Sequence, residues 1–312
     1  RLLTGDLQLS HELENLIAGL YGRESALLFN SGYHANIGIL PSLLTKHDLI
    51  LSDKLNHASI HDGLQICRAE FKRFRHGDYR HLETLLQTHR DDHRLVAIVS
   101  ESVFSMDGDC ADLETLVELK HRYKCLLYLD EAHSIGVCGR KGLGLAEQRG
   151  RIDDIDLLVG TFGKACGSVG AFLISDGTIR EYLINRSRPL IFTTALPPVV
   201  LNWNHFVMSR LASMQARRDK LRQTSRELRQ KLENAGLQTG GSTNIIPVII
   251  GAADWTVEGA KLLQNKGFYV LPVRPPTVPR GTSRFRLSLT ADHDIEMLAP
   301  LPGLIRNWLD GK

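Results

Sequence analysis

No stretch of this 312-residue chain holds the roughly 20 consecutive apolar residues that a membrane-spanning helix needs, and no secretory leader opens it. The cytoplasm is the expected address, with no membrane partner. Cysteine is sparse. Cys67, Cys110, Cys125, Cys138 and Cys166 form no CxxC pair and are odd in number, which argues for reduced, mostly buried thiols over a disulfide frame or a zinc site. Thirteen histidines show no HExxH or other ligand spacing, so no metal is expected. A net charge of +3 is too small and too evenly spread to call for nucleic acid. The densest basic stretch, Arg217 to Arg229, is interrupted by Asp219, Glu227 and apolar residues, and reads as the solvated face of a long helix. Internal repeats and low-complexity tracts are absent. So is an initiating methionine: the chain begins with Arg1, and a piece of the natural protein is expected to precede it.

What is present is enough sequence for one large domain and a smaller one. The positions Leu13, Leu16, Ile17 and Leu20 give a helical period over Ser10 to Tyr21, with Ser10 as its N-cap. Ala26 to Phe29 is a short buried strand, and Ser31-Gly32 turns the chain into a helix from about Ala35. Further strands are predicted at Asp48 to Leu51, Glu70 to Phe74, Leu95 to Ser100, Cys125 to Leu129, Leu157 to Gly160 and Gly170 to Ile174. Helices over Tyr79 to Thr88 and Leu113 to Tyr123 separate some of them. Such alternation predicts an α/β fold with a mostly parallel sheet covered by helices on both faces. A long helical run from Pro197 to about Ala235, broken near Met208 to Ser213, leads to a second pattern. There, strands at Asn244 to Gly251, Tyr269 to Val273 and Arg284 to Leu289 accompany helices at Thr256 to Lys266 and within His293 to Trp308. The division expected is a large domain over 1–210 and a small C-terminal α/β domain over 211–312.

Gly160-Thr161-Phe162-Gly163-Lys164 places a lysine just after an apolar run, among small residues that leave room for a flat ring. That setting suggests an amine that forms a Schiff base with a carbonyl cofactor. Asp130 follows the apolar strand Cys125 to Leu129, at a carboxyl end where open α/β sheets place ligands. Its carboxylate is read either as a partner for a pyridine nitrogen or as a cap for the helix that follows. His133, in the same turn, can donate to a ring hydroxyl or a substrate carbonyl. Ser31-Gly32-Tyr33, before a helix, offers backbone N–H groups to a phosphate, and Thr161 adds a hydroxyl near Lys164. His57 is read either as a ring to stack on the cofactor or as a structural loop histidine. Together these are the parts of a pyridoxal 5′-phosphate (PLP) site.

An ordered set of motifs then gives a resemblance along essentially the whole chain. They are Leu28-Phe29-Asn30-Ser31-Gly32-Tyr33, Asn56-His57-Ala58-Ser59, the run Glu101 to Asp109 (ESVFSMDGD), Asp130-Glu131-Ala132-His133, Thr161-Phe162-Gly163-Lys164, and Ile191 to Pro198 (IFTTALPP). The chain resembles the α-oxoamine synthases, PLP-dependent enzymes of the aspartate aminotransferase fold, fold type I. The resemblance implies Lys164 as the Schiff-base lysine, Asp130 as partner of the pyridine nitrogen and His57 stacked on the ring. It also implies His133 and Ser105 near the ring hydroxyl, and Thr161 at the phosphate that Ser31-Gly32-Tyr33 is read to bind. Thr193 or Thr194 would reach the phosphate of a neighbouring subunit, in a homodimer with sites at its interface. Arg286 would pair with the amino-acid carboxylate, a task that suits its planar fork, and Glu101 and Thr277 would belong to the substrate side.

Within the family, Arg274 to Thr282 (RPPTVPRGT), continued by Arg284 to Thr290, most resembles the member that joins L-alanine to a pimeloyl thioester of coenzyme A or acyl carrier protein in biotin biosynthesis. Sister enzymes that use other amino acids and acyl groups, such as 5-aminolevulinate synthase and 2-amino-3-ketobutyrate CoA ligase, share the cofactor motifs. A catalytically silent partner subunit is the alternative of another class, and the presence of Lys164 speaks against it. Family members carry an N-terminal segment, with a Ser-Asn-Asp-Tyr-Leu-Gly-Leu type motif and a glycine-rich stretch, that this sequence lacks.

Overall fold

Apolar runs without alternation need cover on both faces, and the strands they form here receive it. The computed structural model describes residues 5–312; the expectation about the chain's start concerns what lies outside them. Two compact units are present, one made of residues 5–103 and 111–215, the other of 104–110 and 216–312.

In the first unit the order is α1 (Gln8–Tyr21), β1 (Ser25–Phe29), α2 (Gly32–Leu43), β2 (Asp48–Asp53), α3 (Ala58–Ile66), β3 (Glu70–Phe74), α4 (Tyr79–His89) and β4 (Leu95–Glu101). It continues with α5 (Leu113–Tyr123), β5 (Leu126–Asp130), α6 (Leu145–Gln148), β6 (Leu157–Thr161), β7 (Ala171–Ser175), α7 (Gly177–Arg186), α8 (Arg188–Ile191) and α9 (Pro198–Arg210). All residues of β1, β2, β6 and β7 are buried. The seven strands lie in the order β1-β7-β6-β5-β4-β2-β3. Pairings among β3, β2, β4, β5 and β6 are parallel, and β7 is antiparallel to both of its neighbours. Strand β1 therefore runs with the majority. The carboxyl ends of β1, β2, β4, β5 and β6 all open at one edge of the sheet, and this edge collects the chemistry.

Side chains from the strands (Leu27, Ile50, Val99, Tyr128, Val159) and from α2 and α3 (Ile39, Leu40, Ile60, Leu64) form one buried cluster. Each such side chain contributes roughly 1.5–3 kcal/mol through burial. Helices α2 and α3 cross so closely that a Cβ on Gly63 would stand 2.4 Å from the backbone oxygen of Asn36. Two helix starts differ from the sequence reading. Leu7, not Ser10, precedes α1, and Ser10 is buried inside it with its N–H donating to Leu7 O. Helix α2 begins at Gly32, because Ser31 in extended conformation caps it by accepting from His34 N.

The second unit holds α10 (Gln215–Asn234, whose first residue falls to the first unit), β8 (Ile245–Gly251), α11 (Ala253–Asn265), β9 (Leu271–Val273), β10 (Ser283–Ser288), α12 (Ile295–Leu298) and α13 (Leu301–Asp310). Its three strands form an antiparallel sheet in the order β8-β10-β9. Gly259 of α11 lets the rings of Phe285 and Trp308 approach, where a Cβ would meet both within 2.8 Å. Phe104–Cys110, which the sequence reading leaves in the large domain, belongs to this unit. Gly108 O accepts from Ser242 N and Thr243 Oγ1, and Asp107 pairs with Arg284. Among the described residues no helix is long and apolar enough to cross a membrane, and no cluster of His, Cys, Asp or Glu could hold a metal ion. All five cysteines are free thiols, three of them buried.

Candidate active site

The open edge of the seven-stranded sheet carries, strand by strand, the residues that the motifs single out. Asp130 ends β5 and is 5% exposed. Its Oδ1 accepts from Ala132 N at 2.9 Å, closing the turn that leads to His133, and its Oδ2 accepts from Asn36 Nδ2 at 2.9 Å. No helix follows Asp130, so it does not act as a helix cap: one oxygen closes a turn while the other faces a different partner. Burial pushes this carboxyl above its ordinary value, against the pull of the Asn36 and Ala132 hydrogen bonds and of the charges of His57 and Lys164. Electrostatically, Asp130, His57 and Lys164 are neighbours.

Asn36 completes the link. Its Nδ2 also donates to Ser59 Oγ at 2.9 Å, and Tyr128 donates its buried hydroxyl to Asn36 Oδ1. With a donor on its oxygen and acceptors on its nitrogen, the amide has only one orientation. Ser59 Oγ in turn lies 2.7 Å from His57 Nδ1. That nitrogen also accepts from Ser59 N at 3.2 Å, which makes His57 the N-cap of α3. The position of His57 is therefore set by the helix it starts. His57 is exposed.

Lys164 stands in the loop between β6 and β7 and is exposed together with Gly163 and Ala165. Thr161 braces this loop: its Oγ1 donates to Gly170 O at 3.0 Å and accepts from Gly163 N at 3.1 Å. Phe162 N adds a bond to Gly170 O. The turn after Asp130 reaches the same loop, because a Cβ on Gly136 would stand 2.6 Å from Ala165 Cβ. The start of α2 reaches it as well, since a Cβ on Gly32 would touch Thr161 Cβ at 3.9 Å. Ser31 satisfies His34 N, while the first-turn N–H groups of Gly32 and Tyr33 have no intrahelical acceptor. Tyr33 turns its ring outward and donates its hydroxyl to Asp62. Asn30 donates to Thr193 Oγ1 at 3.0 Å and to Thr194 O, so these threonines stand beside the Ser31-Gly32 turn of their own chain.

Glu101 ends β4 in register with Asp130 and is buried, its N–H donating to Asn56 Oδ1. Glu131, fully buried, accepts from Leu145 N, Ala146 N, Ser102 Oγ and Ser134 Oγ, and burial pushes its carboxyl up to about 7. It anchors the loop that carries His133, which is half-buried. Within the second unit, Arg286 Nε donates to Ser105 O at 2.6 Å and Nη1 to the exposed Ser288 Oγ. Burial lowers the pKa of this guanidinium. Thr277 is exposed in the turn after Arg274.

The sequence profile of the class I and II aminotransferases matches residues 1–302. A putative 8-amino-7-oxononanoate synthase from Pasteurella multocida is 57% identical over 297 residues, covering 95% of this chain and 77% of that protein. The 8-amino-7-oxononanoate synthase of Chlorobaculum parvum is 53% identical over 307 residues, 98% of this chain and 78% of its own. The chain belongs to the 8-amino-7-oxononanoate synthase family. Among solved structures, serine palmitoyltransferase from S. paucimobilis with bound PLP–myriocin superposes with a TM-score of 0.92 at 32% identity, covering all of this chain and 79% of that one. The fold is thus that of the PLP-dependent fold type I enzymes. In this member of the synthase family, the residues that sequence reasoning missed are Asn36 and Glu131. The signal for Asn36 was a lone amide in the apolar helix Ala35 to Leu40; for Glu131 it was an acid directly after a buried strand.

Proposed function

We propose that this chain condenses L-alanine with a pimeloyl thioester, carried on coenzyme A or acyl carrier protein, releasing carbon dioxide and the thiol carrier in biotin biosynthesis. The cofactor is PLP. The observation that carries the reading is the buried Asp130 carboxylate, linked through Asn36 and Ser59 to His57 and drawn on by the charge of Lys164.

The donor set fits PLP. An exposed amine, a buried acid, an imidazole and the open N–H groups of a helix start are what an aldehyde, a pyridine nitrogen, an aromatic face and a phosphate require. PLP, when bound, supplies an electron-withdrawing ring that makes the proton and carboxylate on the α-carbon of alanine removable. Asp130 is assigned to the pyridine nitrogen, since a carboxylate pushed toward neutrality by burial is stabilised by a cation brought beside it. Gly32 and Tyr33 N–H, Ser31 and Thr161 are assigned to the phosphate. The Thr161 hydroxyl proton is committed to Gly170, which leaves it an indirect part there. His57 is assigned to the ring face, and Ser105 and His133 to the ring hydroxyl.

Lys164 is assigned two tasks: to hold the cofactor's aldehyde until alanine's amine replaces it, and then to take and return the α-proton. Arg286 is assigned to alanine's carboxylate on its motif. Releasing the exposed Ser288 hydroxyl would free a second fork position. His133 donates to the oxygen of the thioester carbonyl as charge grows there. Glu101 and Thr277 are assigned to substrate binding. A homodimer, with Thr193 or Thr194 serving the neighbouring copy, is supported by α9, which exposes Val199, Trp203 and Phe206 along one helical face. Free-thiol release from pimeloyl-CoA by the PLP-loaded protein tests the reading. It should require alanine and give a product of the expected mass. Release with glycine and not alanine would move the chain to a sister reaction, and no release with either would sink the proposal.

A further inference from the structure

Strand β5 reads Leu126-Leu127-Tyr128-Leu129-Asp130, an apolar run broken before its acid by a single hydroxyl. Tyr128 is fully buried in the core cluster, two residues before Asp130 and so on the same face of the sheet. For packing alone a phenylalanine would serve, and a phenol buried without a partner costs stability. Among the described residues its only hydrogen bond is the one it donates to Asn36 Oδ1. Burial holds the phenol well above its ordinary range, so at neutral pH it is an uncharged donor.

The Asn36 amide has two ways to lie between its partners. As it stands, Nδ2 gives one hydrogen to Asp130 Oδ2 and the other to Ser59 Oγ, each at 2.9 Å. Turned over, it would set Oδ1 against Asp130 Oδ2, acceptor against acceptor, an arrangement open only to a protonated acid. Ser59 serves either orientation, because a hydroxyl donates as well as accepts. Tyr128 does not: facing an N–H₂ group, its buried proton would have no acceptor. The other titratable groups that act on Asp130 are His57 at the start of α3, Lys164 between β6 and β7, and the adjacent Glu131. None of them bonds to the amide, so none weights the choice. We infer that Tyr128 is a positioning residue, which holds Asp130 in its charged form by fixing the Asn36 amide. What that charge serves, the pyridine nitrogen of PLP, rests on the function proposed above.

Tyr128→Phe removes one oxygen and keeps the core filled. In the full chain with carbon-13 at its aspartate carboxyls, the Asp130 resonance is the one lost in Asp130→Asn. In Tyr128→Phe it should titrate at higher pH than in the wild type. Adding Tyr128→Phe to Asn36→Ala should move it no further, because the amide through which Tyr128 acts is gone. The dissociation constant of PLP, read by equilibrium dialysis at neutral pH, should rise about tenfold in Tyr128→Phe. An unmoved Asp130 resonance in Tyr128→Phe, even with a lower melting temperature, would make Tyr128 a core residue only and overturn the inference. So would an equal shift with and without Asn36. A shifted resonance with unchanged PLP affinity would uphold the inference and count against the place of Asp130 at the pyridine nitrogen.

Discussion

Asn36 donates its side-chain amide to Asp130 at 2.9 Å while its oxygen takes the hydroxyl proton of Tyr128. A neutral residue of a helix thereby fixes the acid at the end of a strand and, through Ser59, the histidine at the start of another helix. Asn36→Ala would leave a buried carboxylate oxygen and a buried phenol without these partners, a loss of about 1–3 kcal/mol. PLP affinity, read by equilibrium dialysis and visible absorbance, should fall about tenfold or more, with a lower melting temperature. Wild-type affinity for PLP in this variant would contradict the positioning role.

Lys164 is exposed, so its truncation should leave the fold intact. Lys164→Ala is expected to lower thiol release by about 10⁴-fold or more, because both the bond to the cofactor and the α-proton carrier are lost. Circular dichroism should be unchanged. Turnover near that of the wild type would remove Lys164 from the mechanism.

Asp130→Asn keeps the shape and removes the charge. One of its two positions must then present an N–H₂ group to a donor, either Asn36 Nδ2 or Ala132 N. We expect kcat to fall about 10²- to 10³-fold, with a smaller change in the KM for alanine. An unchanged kcat would show that the carboxylate does not act on the cofactor.

Glu131 gives a pH dependence of stability. Its carboxyl is raised from 4.5 to about 7, so the folded protein holds this proton more tightly than the unfolded chain does. The stabilising contribution is full below about pH 4.5 and is lost as the pH rises to about 7, amounting to roughly 3 kcal/mol across that window. The urea midpoint of the wild type should therefore fall over this range more steeply than that of Glu131→Gln, which cannot titrate. Equal slopes in the two proteins would refute the assignment.

The central strands of the large sheet were legible because they are apolar runs closed by polar or turn residues, and Ser31, Asp130 and Lys164 because they follow such runs. The direction of β7 is not written in its composition, since a buried strand reads the same either way. It is written in the connection: the nine residues between Thr161 and Ala171 are too few for the crossover that a parallel neighbour needs. Ser10 misled as a cap because a serine at the first apolar turn looks the same whether it starts the helix or is buried within it. Asn36 stayed silent because its three partners come from β5 and α3, far along the chain, and only the folded sheet brings them to it.

That short connection has a consequence for Lys164. The lysine hangs on a tether of seven residues, Gly163 to Val169, whose two ends are pinned by Phe162 and Thr161 to Gly170. A tether this short holds a freed amine at a local concentration of about millimolar or more. The amine can give way to an incoming substrate and still recapture the same place by a swing of its own loop. Letting the loop wander further would require opening the ladder between two fully buried strands.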